Sequence, residues 1–85
     1  MSDLEQSFQQ AIEALKDLQT EPDDNTKLHL YALYKQATVG DVQGEKPGFF
    51  DFVGAAKYSA WEELKGMSAE EAKQKYIDAV RLLSG

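Results

Sequence analysis

At 85 residues, with 42% hydrophobic and 28% charged side chains, the chain has the size and composition of one globular domain with a modest core. Its net charge of −6 argues against nucleic-acid binding, and the absence of cysteine excludes a disulfide framework, a thiolate nucleophile and a cysteine-based metal site. No apolar run approaches the length of a membrane span, and the start Met1-Ser2-Asp3-Leu4-Glu5 is acidic rather than signal-like, so a cytoplasmic protein without stable membrane insertion is expected.

Four helical patterns follow one another and nothing reads as a strand. In the first, Leu4, Phe8, Ala11, Leu15 and Leu18 recur at alternating steps of four and three, and Ser2 with Glu5 makes a capping box at its start. Pro22 disfavours helix at Glu21, which places Asp23 as the N-cap of the second helix. That helix is expected from about Asp24 to Val39, with Gly40 ending it. On its wheel Leu28, Tyr31 and Lys35 share one stripe, and Leu30, Leu33, Tyr34 and Ala37 share another. The second stripe is what a core needs. The first mixes an aliphatic group, a ring and a cation, a combination suited to a ligand with an apolar part, a flat part and an anion.

A long connector from Asp41 to Phe50 carries Gly44 and Pro47-Gly48 as turn signals, and Phe49, Phe50 and Phe52 are expected where it re-enters the core. The third helix is expected from Asp51 to Lys65, closed by Gly66. On it Lys57 shares a stripe with Val53, Ala60, Trp61 and Leu64, so a cation interrupts apolar neighbours. Either its stem covers the core edge while the ammonium reaches water, or the ammonium meets an anion. The fourth helix opens on the capping box of Ser68 to Glu71, with Met67 and Ala72 as a hydrophobic staple. Its apolar stripe is Ala69, Ala72, Tyr76, Ala79, Val80 and Leu83.

Three blocks stand in order along the chain: the run from Tyr31 to Asp41; Lys46-Pro47-Gly48-Phe49-Phe50-Asp51-Phe52 with Gly54, Ala56-Lys57-Tyr58 and Ala60-Trp61; and Tyr76-Ile77-Asp78. From about Phe8 to Val80 they resemble the acyl-CoA-binding protein family. The resemblance implies an all-α four-helix bundle of that family's skewed up-down-down-up type, with residues 1–85 as a single acyl-CoA-binding domain. It implies a non-enzymatic intracellular carrier that binds medium- or long-chain fatty acyl-CoA esters one to one, buffers and transports them, meets acyl-CoA-using enzymes transiently and works as a monomer. In that frame Lys35 takes the 3′-phosphate of coenzyme A, Lys57 contacts its phosphates, and Tyr31 and Tyr76 meet adenine, ribose and 3′-phosphate. Tyr34 belongs to the same constellation while also serving the core. Phe8, Ile12, Leu28 and Val53 are candidates for the acyl groove, with plain core as the competing reading of Phe8 and Ile12; Trp61 reads as core. Three positions depart from the family pattern: Glu21, Val53 and Ala55 stand where family members commonly carry cations.

Enzyme chemistry finds no footing in the sequence. His29 is the one histidine and reads as a surface residue, the serines have no histidine partner at motif spacing, and no glycine-rich phosphate loop is present. Neither a cofactor nor a metal is expected. The alternative to a carrier is a small acidic helical module that docks a protein partner through exposed aromatics.

Overall fold

Helix boundaries follow local capping chemistry. The computed structural model describes residues 3–84 as four helices, α1 (Asp3–Lys16), α2 (Asp24–Thr38), α3 (Phe52–Glu62) and α4 (Ala69–Ser84), with no strand among the described residues. Asp23 is the N-cap of α2 and accepts the Thr26 N–H at 2.8 Å. Ser68 does the same for α4, its hydroxyl accepting the Glu71 N–H at 3.1 Å. Asp51 starts α3 by accepting the Gly54 N–H at 2.9 Å. Gly54 makes this cap possible, since a β-carbon there would sit 2.4 Å from the Asp51 carboxylate. Ser2, the expected cap of α1, lies outside the described residues.

The third helix is shorter than its apolar pattern. Beyond Glu62 the chain tightens into three-residue turns, Leu64 N–H donating to the Trp61 carbonyl at 3.0 Å and Lys65 N–H to Glu62 at 3.1 Å. Gly66 then takes φ = +93°, a left-handed value that side-chain-bearing residues rarely adopt. The α2 boundary is as expected within a residue, with Val39 as C-cap and Gly40 beyond it.

Helix α4 packs against both α1 and α2, while α3 packs against α2 alone. The molecule is correspondingly flat, 38 × 31 × 14 Å. One cluster of Phe8, Ala11, Leu30, Leu33, Ala37, Ala72, Tyr76, Ile77 and Val80 holds α1, α2 and α4 together. No residue of α3 belongs to it. Instead Trp61 is buried on that helix, its indole N–H donating to the Gly40 carbonyl at 2.7 Å across the end of α2. The connector is pinned as well. Gln36, buried on α2, donates through Nε2 to Asp41 Oδ1 at 2.8 Å and to the Met67 carbonyl at 2.9 Å, and Gly66 N–H donates to the same Asp41 oxygen. The Gly66 N–H, with Gln36 beside it, holds the Asp41 carboxyl below the usual carboxylate range.

Expectations of burial fail at three places. Phe49, Phe50 and Phe52 do not re-enter the core; they are 84%, 88% and 73% exposed. The turn that carries Phe49 and Phe50 precedes α3, which contributes no residue to the main core cluster, so these rings are not drawn into it. Tyr34, on the expected core stripe of α2, is exposed, because Phe8 and Tyr76 already fill the space beneath it. Leu83, on the α4 stripe, is also exposed near the end of its helix.

Candidate functional site

The surface around α2 carries two neighbouring hollows. The first, about 360 Å³, is lined by Leu15, Pro22, Lys27, Leu30, Tyr31, Tyr34 and Tyr76. The second, about 370 Å³, is lined by Asp24, Lys27, Leu28, Phe52, Val53, Ala56 and Lys57. Lys27 belongs to both walls, and the Lys57 ammonium lies 5.3 Å from the centre of the Tyr31 ring. One hollow is walled by phenol rings and the other mainly by aliphatic and phenyl carbon.

Lys35, one turn along from Tyr31, places its ammonium 5.0 Å from the Trp61 ring centre. Lys35 and Lys57 therefore rest on aromatic faces, and among the described residues neither has a carboxylate within ion-pair distance. Four other lysines are paired, Lys27 with Glu21 at 2.5 Å, Lys73 with Glu5 at 2.6 Å, and Lys16 and Lys75 with glutamates on their own helices, whereas Lys46 and Lys65 have no ion pair among the described residues. Lys57 lines the second hollow, while Lys35 lines neither, so on a chain of net charge −6 these are two cations that an anion can meet without displacing a carboxylate.

The tyrosines divide by depth. Tyr76 is buried at 3% exposure, yet it forms part of the first hollow's wall. Burial, with Tyr34 adding to it, pushes the Tyr76 phenol above its ordinary value, so it stays a neutral hydroxyl able to donate. Tyr31 is half-buried between the hollows and Tyr34 is exposed at the first. Of the acyl-groove candidates, Leu28 and Val53 line the second hollow. Phe8 is buried at 1% exposure and Ile12 packs against the core cluster; neither lines either hollow.

Sequence reasoning missed Lys27, Phe52 and Ala56 as wall residues. Lys27 lies four residues before Tyr31 and seven before Tyr34, so helical spacing alone would have placed it with them. Phe52 and Ala56 are likewise one turn apart on α3. The signal was there, hidden by assigning Phe52 to the core. Among the described residues no group of three or more His, Cys, Asp or Glu side chains is placed to hold a metal ion. Among the described residues no helix is long and apolar enough to cross a membrane.

The Acyl CoA binding protein family matches residues 5–80. Acyl-CoA-binding protein homolog 1 of Caenorhabditis elegans is 47% identical over 77 residues, covering 91% of this chain and 90% of that protein. Enoyl-CoA delta isomerase 2 of Rattus norvegicus is 48% identical over 80 residues, covering 94% of this chain but 20% of its own length. The crystal structure of Oryza sativa Acyl-CoA-Binding Protein 2 superposes with a TM-score of 0.90 at 41% identity, covering 95% of this chain and 90% of that one.

Proposed function

Since the chain belongs to the acyl-CoA-binding protein family, we propose that it is a non-enzymatic carrier of medium- and long-chain fatty acyl-CoA esters, bound one to one. The observation that carries this reading is Lys57, without an ion pair, in the wall of an apolar hollow with Leu28, Phe52, Val53 and Ala56, with Lys35 likewise unpaired one turn along α2 from Tyr31. Phosphates go to the lysines and the ring-lined hollow of Tyr31, Tyr34 and Tyr76 takes the nucleotide, while the acyl chain lies along the second hollow. Burial is worth about 0.8 kcal/mol per methylene. Ten methylenes give roughly 8 kcal/mol gross, from which ordering the chain and fixing the ligand subtract a good part. The tail thus supplies much of the affinity, and the nucleotide end selects coenzyme A esters over free fatty acids.

Such a protein buffers and moves acyl-CoA in the cytoplasm as a monomer, needs no cofactor, and meets acyl-CoA-using enzymes only in passing. The alternative of a protein-docking module is not favoured by the family membership. Isothermal titration with palmitoyl-CoA, coenzyme A and palmitate separates the two. One-to-one binding that is tight for palmitoyl-CoA and at least a hundredfold weaker for each half alone is expected. No binding of palmitoyl-CoA below its micellar range would end the carrier reading.

Glu21 makes a second expectation. Its hydrogen bond to Lys27, and then that lysine's charge, hold the carboxyl below the usual range, so at neutral pH it is ionised and occupies a cation shared by both hollows. Glu21→Gln releases Lys27 and removes a negative charge from the site's edge. Palmitoyl-CoA affinity should rise about two- to fivefold at low salt, and the gain should shrink near 0.5 M salt as screening tightens. Titrations at the two salt concentrations check it; an unchanged affinity at low salt would remove Lys27 from the ligand's reach.

A further inference from the structure

The most exposed apolar group in the fold is the turn ahead of α3. Asp51 N–H donates to the Gly48 carbonyl at 3.0 Å, which closes a four-residue turn with Phe49 and Phe50 at its two central positions. Central turn positions are normally filled by residues that serve the backbone, such as Pro, Gly, Asn or Asp. Nothing in this backbone calls for phenyl rings: neither phenylalanine has a positive φ, and both side chains stand in water, 84% and 88% exposed. The rings meet each other edge to face at 5.5 Å. Phe52 and Val53, 73% and 66% exposed, carry the apolar surface from the turn into the wall of the second hollow. Four neighbouring apolar side chains open to solvent mark an interaction surface.

We propose that the Phe49–Phe50 turn is a peripheral bilayer anchor, whose rings dip into the interface of a zwitterionic phospholipid membrane and set the acyl hollow against it. The proposal rests on the carrier reading and adds the surface from which the carrier loads and unloads. Three observations favour a bilayer over a protein partner. A turn tip is convex and two residues wide, whereas a stable protein interface takes about 20–30 residues a side. The apolar surface continues through Phe52 and Val53 into the hollow, so an acyl tail leaves lipid without crossing open water. Charges of both signs flank the tip in sequence, Glu45 and Lys46 before it and Asp51 after it, and Asp51 is engaged in capping α3. A tip flanked by both signs suits zwitterionic headgroups, while a net charge of −6 repels an anionic leaflet.

Flotation with phosphatidylcholine vesicles, empty or carrying palmitoyl-CoA, tests the anchor on wild type and on the double variant F49S/F50S. Each ring offers about 150–250 Å² of surface, so burying even half of both predicts at least a tenfold loss of vesicle partitioning in the variant. Titration of palmitoyl-CoA below its micellar range should stay within about twofold of wild type, because neither ring lines a hollow. Stopped-flow transfer of palmitoyl-CoA from vesicles should slow in proportion to the lost partitioning. The anchor is overturned if wild type does not float with either vesicle, or if the variant floats as well as wild type. It is equally overturned if the variant loses ligand affinity, which would make the turn part of the acyl site. Concentration-dependent self-association that the variant abolishes in the absence of lipid would assign the patch to a second copy instead. Failure of wild type to bind palmitoyl-CoA at all counts against the carrier reading and is read independently of flotation.

Discussion

Lys35→Ala and Lys57→Ala are each expected to weaken palmitoyl-CoA binding about ten- to hundredfold, with palmitate binding unmoved. A hydrogen bond to a charged group is worth about 1.5–3 kcal/mol, and each lysine offers one to a phosphate without first breaking an ion pair. Their present contacts are weak: each ammonium rests 5.0–5.3 Å from a ring centre, an interaction worth about 0.5–1 kcal/mol at an exposed site. The fold should therefore tolerate both changes, and urea midpoints should move little. Arginine at either position keeps the charge and a donor and should recover most of the affinity. Titration calorimetry at two salt concentrations reads the result, since the lost component must be the salt-sensitive one. If Lys57→Ala binds palmitoyl-CoA like wild type, its stem merely covers the edge of α3, and the phosphates lie elsewhere.

Helix existence and capping were legible in the sequence because they depend on nearest neighbours. Asp23 and Ser68 cap where their side chains reach three residues ahead, and that distance is fixed by the chain itself. Burial was less legible because it depends on which helices touch. Periodicity assigns Val53, Lys57, Ala60, Trp61 and Leu64 to one apolar stripe, but it cannot say that α3 leans on α2 alone. Only Trp61 of that stripe is buried, and Val53 and Phe52 are left to wall a hollow. The same limit explains Gln36. Its amide is buried because the returning connector brings Asp41 and Met67 against it. For the site, helical spacing placed Tyr31 and Lys35 together on α2, but the meeting of Tyr31 with Lys57 and Tyr76 is a tertiary event. Sequence reached that association only through what the family resemblance of the three blocks implies.

Phe8→Ala should cost about 3–5 kcal/mol of stability, the range for truncating a buried phenyl ring. Phe8 is 1% exposed, with Tyr76 edge-on at 5.2 Å and Tyr34 stacked at 6.2 Å, and the Lys73 ammonium closes over it at 5.8 Å. Domains of this size have roughly 5–15 kcal/mol in total, so urea unfolding should show a midpoint lowered by a large fraction. The milder Phe8→Leu keeps the fold and decides between the two roles of this residue. If Phe8 is core, it supports Tyr34 and Tyr76 from beneath, and its loss loosens the wall of the ring-lined hollow. Affinity then falls by the same factor for octanoyl-CoA and palmitoyl-CoA, because both carry the same nucleotide. A groove residue behaves differently: the loss would grow with chain length, since only the longer tail reaches it. The geometry favours a uniform loss, as Phe8 lines neither hollow. A loss confined to palmitoyl-CoA would put the acyl chain under α1 and require the core to open when ligand binds.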